Sequence, residues 1–84
     1  VKYRLVYTHR AIRDIDALDR SIKQRIGKTL VRYESDPLQR AEPLKQSELG
    51  SHRFRIGDYR VVFDIEGDEI VILRVGHRRD IYRR

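Results

Sequence analysis

The chain has no cysteine. Neither a disulfide framework nor a thiolate metal site can be built from it, and thiol redox chemistry is excluded. Long apolar runs are missing too. The longest, Ile70 to Leu73, is far short of the roughly 18 residues that a membrane span needs. The charged start Val1-Lys2-Tyr3-Arg4 does not read as a signal peptide, so a cytoplasmic protein is expected. No repeat or low-complexity tract appears. The 84 residues allow one domain, 1–84, with a single core that hides about 60–65% of the extended-chain surface and leaves stability marginal. Carboxylates are in the minority, 13 against 19 lysines and arginines, for a net charge of +6. That balance favours nucleic acid or an acidic protein segment as partner.

Arginine supplies most of the excess, and its planar fork matches phosphate oxygens two at a time. The densest cluster closes the chain, where Arg74, His77, Arg78, Arg79, Tyr82, Arg83 and Arg84 face a single carboxylate, Asp80. A basic cluster fixed to a strand is suited to gripping phosphate. The carboxylates Asp64, Glu66, Asp68 and Glu69 crowd one turn but lack ligand spacing, so no metal site and no cofactor is expected. Arg20, Lys23, Arg25, Lys28 and Arg32 read as a solvated helix surface able to add nonspecific affinity for RNA.

The pattern of apolar residues predicts an α+β domain. Tyr3, Leu5 and Tyr7 alternate as a strand with one buried face. Thr8 can cap a first helix carrying Ile12, Ile15 and Leu18, and Asp19 or Ser21 opens a second carrying Ile22, Ile26, Leu30 and Tyr33. Pro37 ends that helix near Asp36, and the stretch through Pro43 is expected to be a loop exposing Arg40 and Glu42. Three antiparallel strands follow, His52–Ile56, Tyr59–Glu66 and Glu69–His77, joined by Gly57-Asp58 and Gly67-Asp68 turns of type II′. The expected order is β-α-α-β-β-β, with the helix hairpin on one face of the meander.

The turns set a register. Pairing Ile56 with Tyr59 puts Arg55 opposite Arg60, while Phe54, Ile56, Tyr59, Val61, Phe63 and Ile65 turn to the helix side. Like charges facing each other cost up to about 1 kcal/mol, so Arg53, Arg55 and Arg60 together imply an anionic ligand. Continuing the register pairs Asp64 with Val71, Val62 with Leu73 and Arg60 with Val75. That lays an apolar stripe beside the arginines, to be covered by the C-terminus or by a partner. Arg74 then falls toward the helices, at an edge or a bulge.

The segments Arg53-Phe-Arg-Ile-Gly-Asp-Tyr-Arg-Val-Val-Phe63 and Val75-Gly-His-Arg-Arg-Asp-Ile-Tyr82, with Pro43-Leu-Lys45 before them, resemble the RelE and ParE superfamily of type II toxins. The resemblance covers nearly the whole chain and is nearest to the RelE branch. It implies a ribosome-dependent endoribonuclease that cuts messenger RNA without metal, using the RNA's own 2′-hydroxyl. Carried over, the residues around the scissile phosphate are Arg53, Arg55, Arg60, Arg78 and Tyr82, with Lys45 as a backbone contact; Arg79 and Arg83 of the basic tail are expected as further RNA contacts. Arginines stand where the best-known bacterial pattern has lysines, and the segment before the tyrosine is shorter.

In-line attack builds charge on phosphorus, which fixed arginines stabilise, but arginine cannot accept a proton. Tyr82 and His77 are therefore the candidates for proton transfer. Each also has a plainer reading, Tyr82 as a hydrophobic plug and His77 as a strand-end residue. A His52–His77 pair requires the sheet to bring the two together. The expected partners are an antitoxin presenting an acidic amphipathic segment, the ribosome and mRNA, with no membrane and no small-molecule cofactor. The alternatives are a ParE-like inhibitor of DNA gyrase and an inactive or regulatory member.

Overall fold

The structure, a computed structural model, describes residues 2–45 and 49–82. The elements are β1 (Arg4–Tyr7), α1 (His9–Asp16), α2 (Arg20–Tyr33), α3 (Pro37–Arg40), β2 (Ala41–Pro43), β3 (His52–Ile56), β4 (Tyr59–Glu66) and β5 (Glu69–His77). They form one five-stranded sheet of order β1-β5-β4-β3-β2. The α+β architecture follows the alternation in sequence. What alternation cannot give is that β1 lies parallel to β5, with Leu5 beside Ile70 and Tyr7 beside Ile72.

Thr8 fixes that crossover. Its hydroxyl accepts from the Ala11 amide at 3.1 Å, capping α1, and donates to the Ile72 carbonyl at 2.9 Å, tying the helix start to β5. Ala11 is the fully buried residue of α1, whereas Ile12 stays 46% exposed. A methyl side chain lets the helix lie close to the sheet, and Ile12 instead borders an apolar pocket of about 250 Å³ with Tyr7, Ile15, Ile26 and Leu30. On α2 the four-residue steps hold, with Ile26 and Leu30 buried and Ile22 and Tyr33 packed at the margin.

Against the helices lie Phe54, Ile56, Val61, Phe63, Ile70, Ile72 and Val75. The Phe54 and Phe63 rings stack at 4.3 Å, with Tyr33 tilted on Phe54 at 4.9 Å. Emptying the centre of that stack by Phe63→Ala would cost about 3–5 kcal/mol.

Two expectations need correction. The stretch from Pro37 to Pro43 is not a loop. Pro37, its φ already helical, starts the single turn of α3, and Ala41–Pro43 then pairs antiparallel with β3, Glu42 opposite Arg53. Proline is tolerated there because β2 is an edge strand. The second correction lies between β4 and β5. Asp64 does pair with Val71, but a bulge between Val62 and Phe63 leaves Leu73 as an extra residue on β5. Val61 therefore pairs with Val75, Val62 with Arg74 and Arg60 with Gly76, one residue on from simple counting. The bulge is held by Asp14, which accepts from Arg74 Nε at 2.7 Å and from the Val75 amide at 3.0 Å.

The shift also changes how the second face is covered. Val62 is fully buried, and Gly50 sits so close above it that an added Cβ would lie 2.7 Å from Val62 Cγ1 and 2.9 Å from Leu73 Cδ1. Farther along, Ile81 is 2% exposed and packs beside Gly76. Gly50, from the connection before β3, covers Val62 and Leu73, which neither of the two coverings expected from the sequence included, while the C-terminal turn seats Ile81 beside Gly76.

Candidate functional site

The site begins at the β3–β4 turn. Gly57 adopts φ of 60°, which suits glycine in first position, and the tight turn brings Arg55 directly opposite Arg60. Arg53 lies two residues back on the same face. Arg60 is 5% exposed, the one charged residue buried among those described, and its Nη1 donates to the carbonyls of Gly57 and Tyr59, both at 2.9 Å. The backbone of the turn thus locks the guanidinium in place. Burial, followed by the charges of Arg55 and Arg53, lowers the Arg60 pKa below the usual arginine value, with Arg78 adding to the effect and Tyr82 opposing it.

The C-terminal turn completes the cluster. The amides of Asp80 and Ile81 donate to the His77 carbonyl at 2.9 and 3.0 Å, and the Arg78 amide donates to the Asp58 carbonyl at 2.8 Å, fastening the turn to the β3–β4 hairpin. Gly76 has no side chain where Ile81 packs, and the chain beyond Ile81 returns Tyr82 to β3. There Arg53 Nη1 donates to the Tyr82 hydroxyl at 2.8 Å, and the guanidinium carbon lies 5.8 Å from the centre of the ring. That hydrogen bond is the foremost reason the Arg53 pKa is raised; burial works against it, and the charges of Tyr82 and Glu42 reinforce it. Arg78 Nε sits 3.7 Å from Asp58 at the rim, both side chains more than half exposed.

Five of the expected residues, Arg53, Arg55, Arg60, Arg78 and Tyr82, therefore share one end of the sheet's open face. His77 does not join them. It pairs with Tyr59 on the helix side, its ring edge-on to the Tyr59 ring at 5.4 Å, and its Nδ1 accepts from the Arg79 amide at 3.1 Å. The reason is the bulge, which sets the parity of β5 from Arg74 onward. On that side His77 borders a cavity of about 500 Å³ with Arg10, Arg13, Asp14 and Tyr59. His52 stacks on Phe63 at 5.6 Å, four residues along β4 from the partner of His77, so the two histidines do not pair. Lys45 and Arg79 are exposed beside the cluster's elements, and Arg83 lies outside the described residues.

Sequence reasoning missed Glu42, whose Oε1 is 3.4 Å from Arg53 Nε and 3.7 Å from Arg55 Nε. No signal in the sequence placed it there, because Ala41–Pro43 is too short to show the alternation of a strand.

Fixed guanidinium groups of this number hold a phosphate and stabilise charge that builds on it. Of the described side chains in and around the cluster, the Tyr82 phenol and the Glu42 and Asp58 carboxylates can exchange a proton, because arginine stays protonated. Among the described residues no group of three or more His, Asp or Glu is placed to hold a metal ion, and no helix is long and apolar enough to cross a membrane.

Comparison with known proteins agrees with this architecture. The family model described as the ParE toxin of the type II toxin–antitoxin system parDE matches residues 5–82. Toxin RelG of Mycobacterium tuberculosis is 43% identical over 51 residues, 58% of this chain and 59% of that protein. Toxin RelE3 of Methanocaldococcus jannaschii is 45% identical over 31 residues, 37% of this chain and 35% of that protein. The matched segments thus span about three-fifths and one-third of these relatives' own lengths. In the crystal structure of the toxin–antitoxin complex RelBE2 from M. tuberculosis, one chain superposes with a TM-score of 0.85 at 31% identity, covering 93% of this chain and all of that one. With the family matched from β1 to Tyr82, the chain belongs to the RelE/ParE superfamily and is a toxin of a type II toxin–antitoxin system.

Proposed function

We propose that this toxin is a ribosome-dependent mRNA endoribonuclease. The observation that carries the reading is the bridge between Arg53 and Tyr82 at 2.8 Å, because it joins the one phenol at the chain's end to the arginines of two other strands. Arg60 and Arg78 are assigned to the phosphate, with Arg53 and Arg55 gripping the linkage and Lys45, Arg79 and Arg83 contacting neighbouring backbone.

In the proposed reaction the 2′-oxygen of one nucleotide attacks its own 3′-phosphate. A bond forms between that oxygen and phosphorus, the bond to the next 5′-oxygen breaks, and the products are a 2′,3′-cyclic phosphate and a free 5′-hydroxyl. One proton leaves the nucleophile and one reaches the leaving oxygen. Tyr82 is the proton shuttle of this scheme, since His77 faces the other side of the sheet. The buried, backbone-clamped Arg60 meets the developing charge without having to reorganise.

Removing one hydroxyl tests the assignment. Tyr82→Phe should lower cleavage of ribosome-bound message at least about a hundredfold, and Arg60→Ala about a hundred- to a thousandfold, with circular dichroism unchanged for both. Normal cutting by both variants would falsify the scheme.

A second reading, a non-enzymatic inhibitor of DNA gyrase, has the ParE description of the matching family in its favour. It has no use for a phenol bonded into the arginine cluster. Under either reading the partner is an antitoxin, and the basic face suits an acidic amphipathic segment. Because Gly50 already lies over Val62 and Leu73, that segment is assigned to the arginines rather than to the whole apolar stripe.

A further inference from the structure

The carboxylate of Glu42 has an unusual place. It enters the arginine cluster from β2, directly across the ladder from Arg53, and one oxygen approaches Nε of both Arg53 and Arg55. Shared approach by one oxygen to two guanidinium groups is the geometry by which a phosphate oxygen would be held. We propose that Glu42 is an internal stand-in for the RNA phosphate: it neutralises Arg53 and Arg55 in the free protein and must be displaced when RNA binds, so it sets affinity and salt dependence. This rests on the nuclease reading and names a residue that limits it.

The geometry fits displacement better than permanent support. The contacts are 3.4 and 3.7 Å, long for charge-assisted bonds, and the Glu42 side chain is 43% exposed. Arg53 keeps its shorter bond, 2.8 Å, for Tyr82. Arg60 needs no carboxylate, being held by two backbone carbonyls. The carboxylate thus blocks the gripping arginines and leaves Arg60 and Tyr82 in position.

An internal anion has a measurable consequence. Cations already neutralised by the protein release no counterion when a phosphate replaces the carboxylate, which flattens the dependence of binding on salt. Freeing them should steepen it.

The probe is a short single-stranded RNA, 2′-O-methylated throughout so that it cannot be cut, titrated at several salt concentrations. Glu42→Gln should bind about fivefold more tightly than the wild type at low salt, in keeping with two exposed ion pairs. Its slope of log K against log salt should be steeper by about 0.7, one phosphate's worth on a single strand. Glu69→Gln is the control: it adds the same charge at the far side of the sheet, where Glu69 pairs with Arg4, and should leave the slope unchanged. Equal or weaker binding by Glu42→Gln overturns the proposal and makes Glu42 a brace for the arginines. If neither the wild type nor any variant binds this RNA, Glu42 does not set its affinity and the inference is overturned, whereas the nuclease reading itself stands or falls on cleavage of ribosome-bound message.

Discussion

Arg60 carries its charge where almost no water reaches, opposite Arg55 and close to Arg53 and Arg78. Its pKa is lowered on folding, and for a base this means that the charged form weakens the fold at every pH below that value. The cost is therefore constant across the accessible range, and substitution rather than titration reveals it. Arg60→Met should raise the Tm by a few degrees, since relief of about 1 kcal/mol of opposed charge shifts a domain of this size by about 4–8 °C, while cleavage is lost. A fall in Tm on calorimetry would show instead that the bonds to Gly57 and Tyr59 outweigh the repulsion. The sequence made Arg60 legible because the Gly57-Asp58 turn dictated that Arg55 faces it. Glu42 was not legible, because a three-residue edge strand is too short to show alternation.

At the scale of elements, the bulge on β5 decides which side chains meet. Without it, Val75 would sit beside Arg60; with it, Gly76 does, and Ile81 finds room to seat the turn that delivers Tyr82. A β-carbon at Gly76 would only touch Ile81, at 3.6 Å, so it is the γ-methyls of Gly76→Val that should push Ile81 outward and move Tyr82 away from Arg53. Misplacement by about 1 Å can cost about a hundredfold in rate, so cleavage should fall by that order while the rings of the helix-side core, and hence near-ultraviolet circular dichroism, stay unchanged. Full activity in this variant would remove Gly76 from the account. Apart from β2, which was expected as a loop, strands, turns and the helix hairpin were readable from periodicity and glycine. A bulge near Arg74 was one of two readings left open, an edge position being the other, but its effect on the pairing was not readable, because Leu73 fits either register in an apolar run, and only Asp14, sixty residues away, fixes the choice through Arg74 and Val75. The parity of His77 followed that shift.

At the scale of the molecule, the fold alone does not choose between the two proposed readings, for proteins named for RelE and for ParE share this architecture. A net charge of +6 suits either nucleic acid. The difference lies in one end of one face, where four arginines from two strands and a terminal turn surround a phenol. The most direct measurement is mapping of message 5′ ends in translation extracts with intact or dissociated ribosomes, using wild type and Tyr82→Phe, alongside purified gyrase and supercoiled DNA. The account predicts new 5′-hydroxyl ends within translated message only with intact ribosomes, none with Tyr82→Phe, and undisturbed DNA. Broken DNA in the gyrase reaction and uncut message in the extract would contradict it.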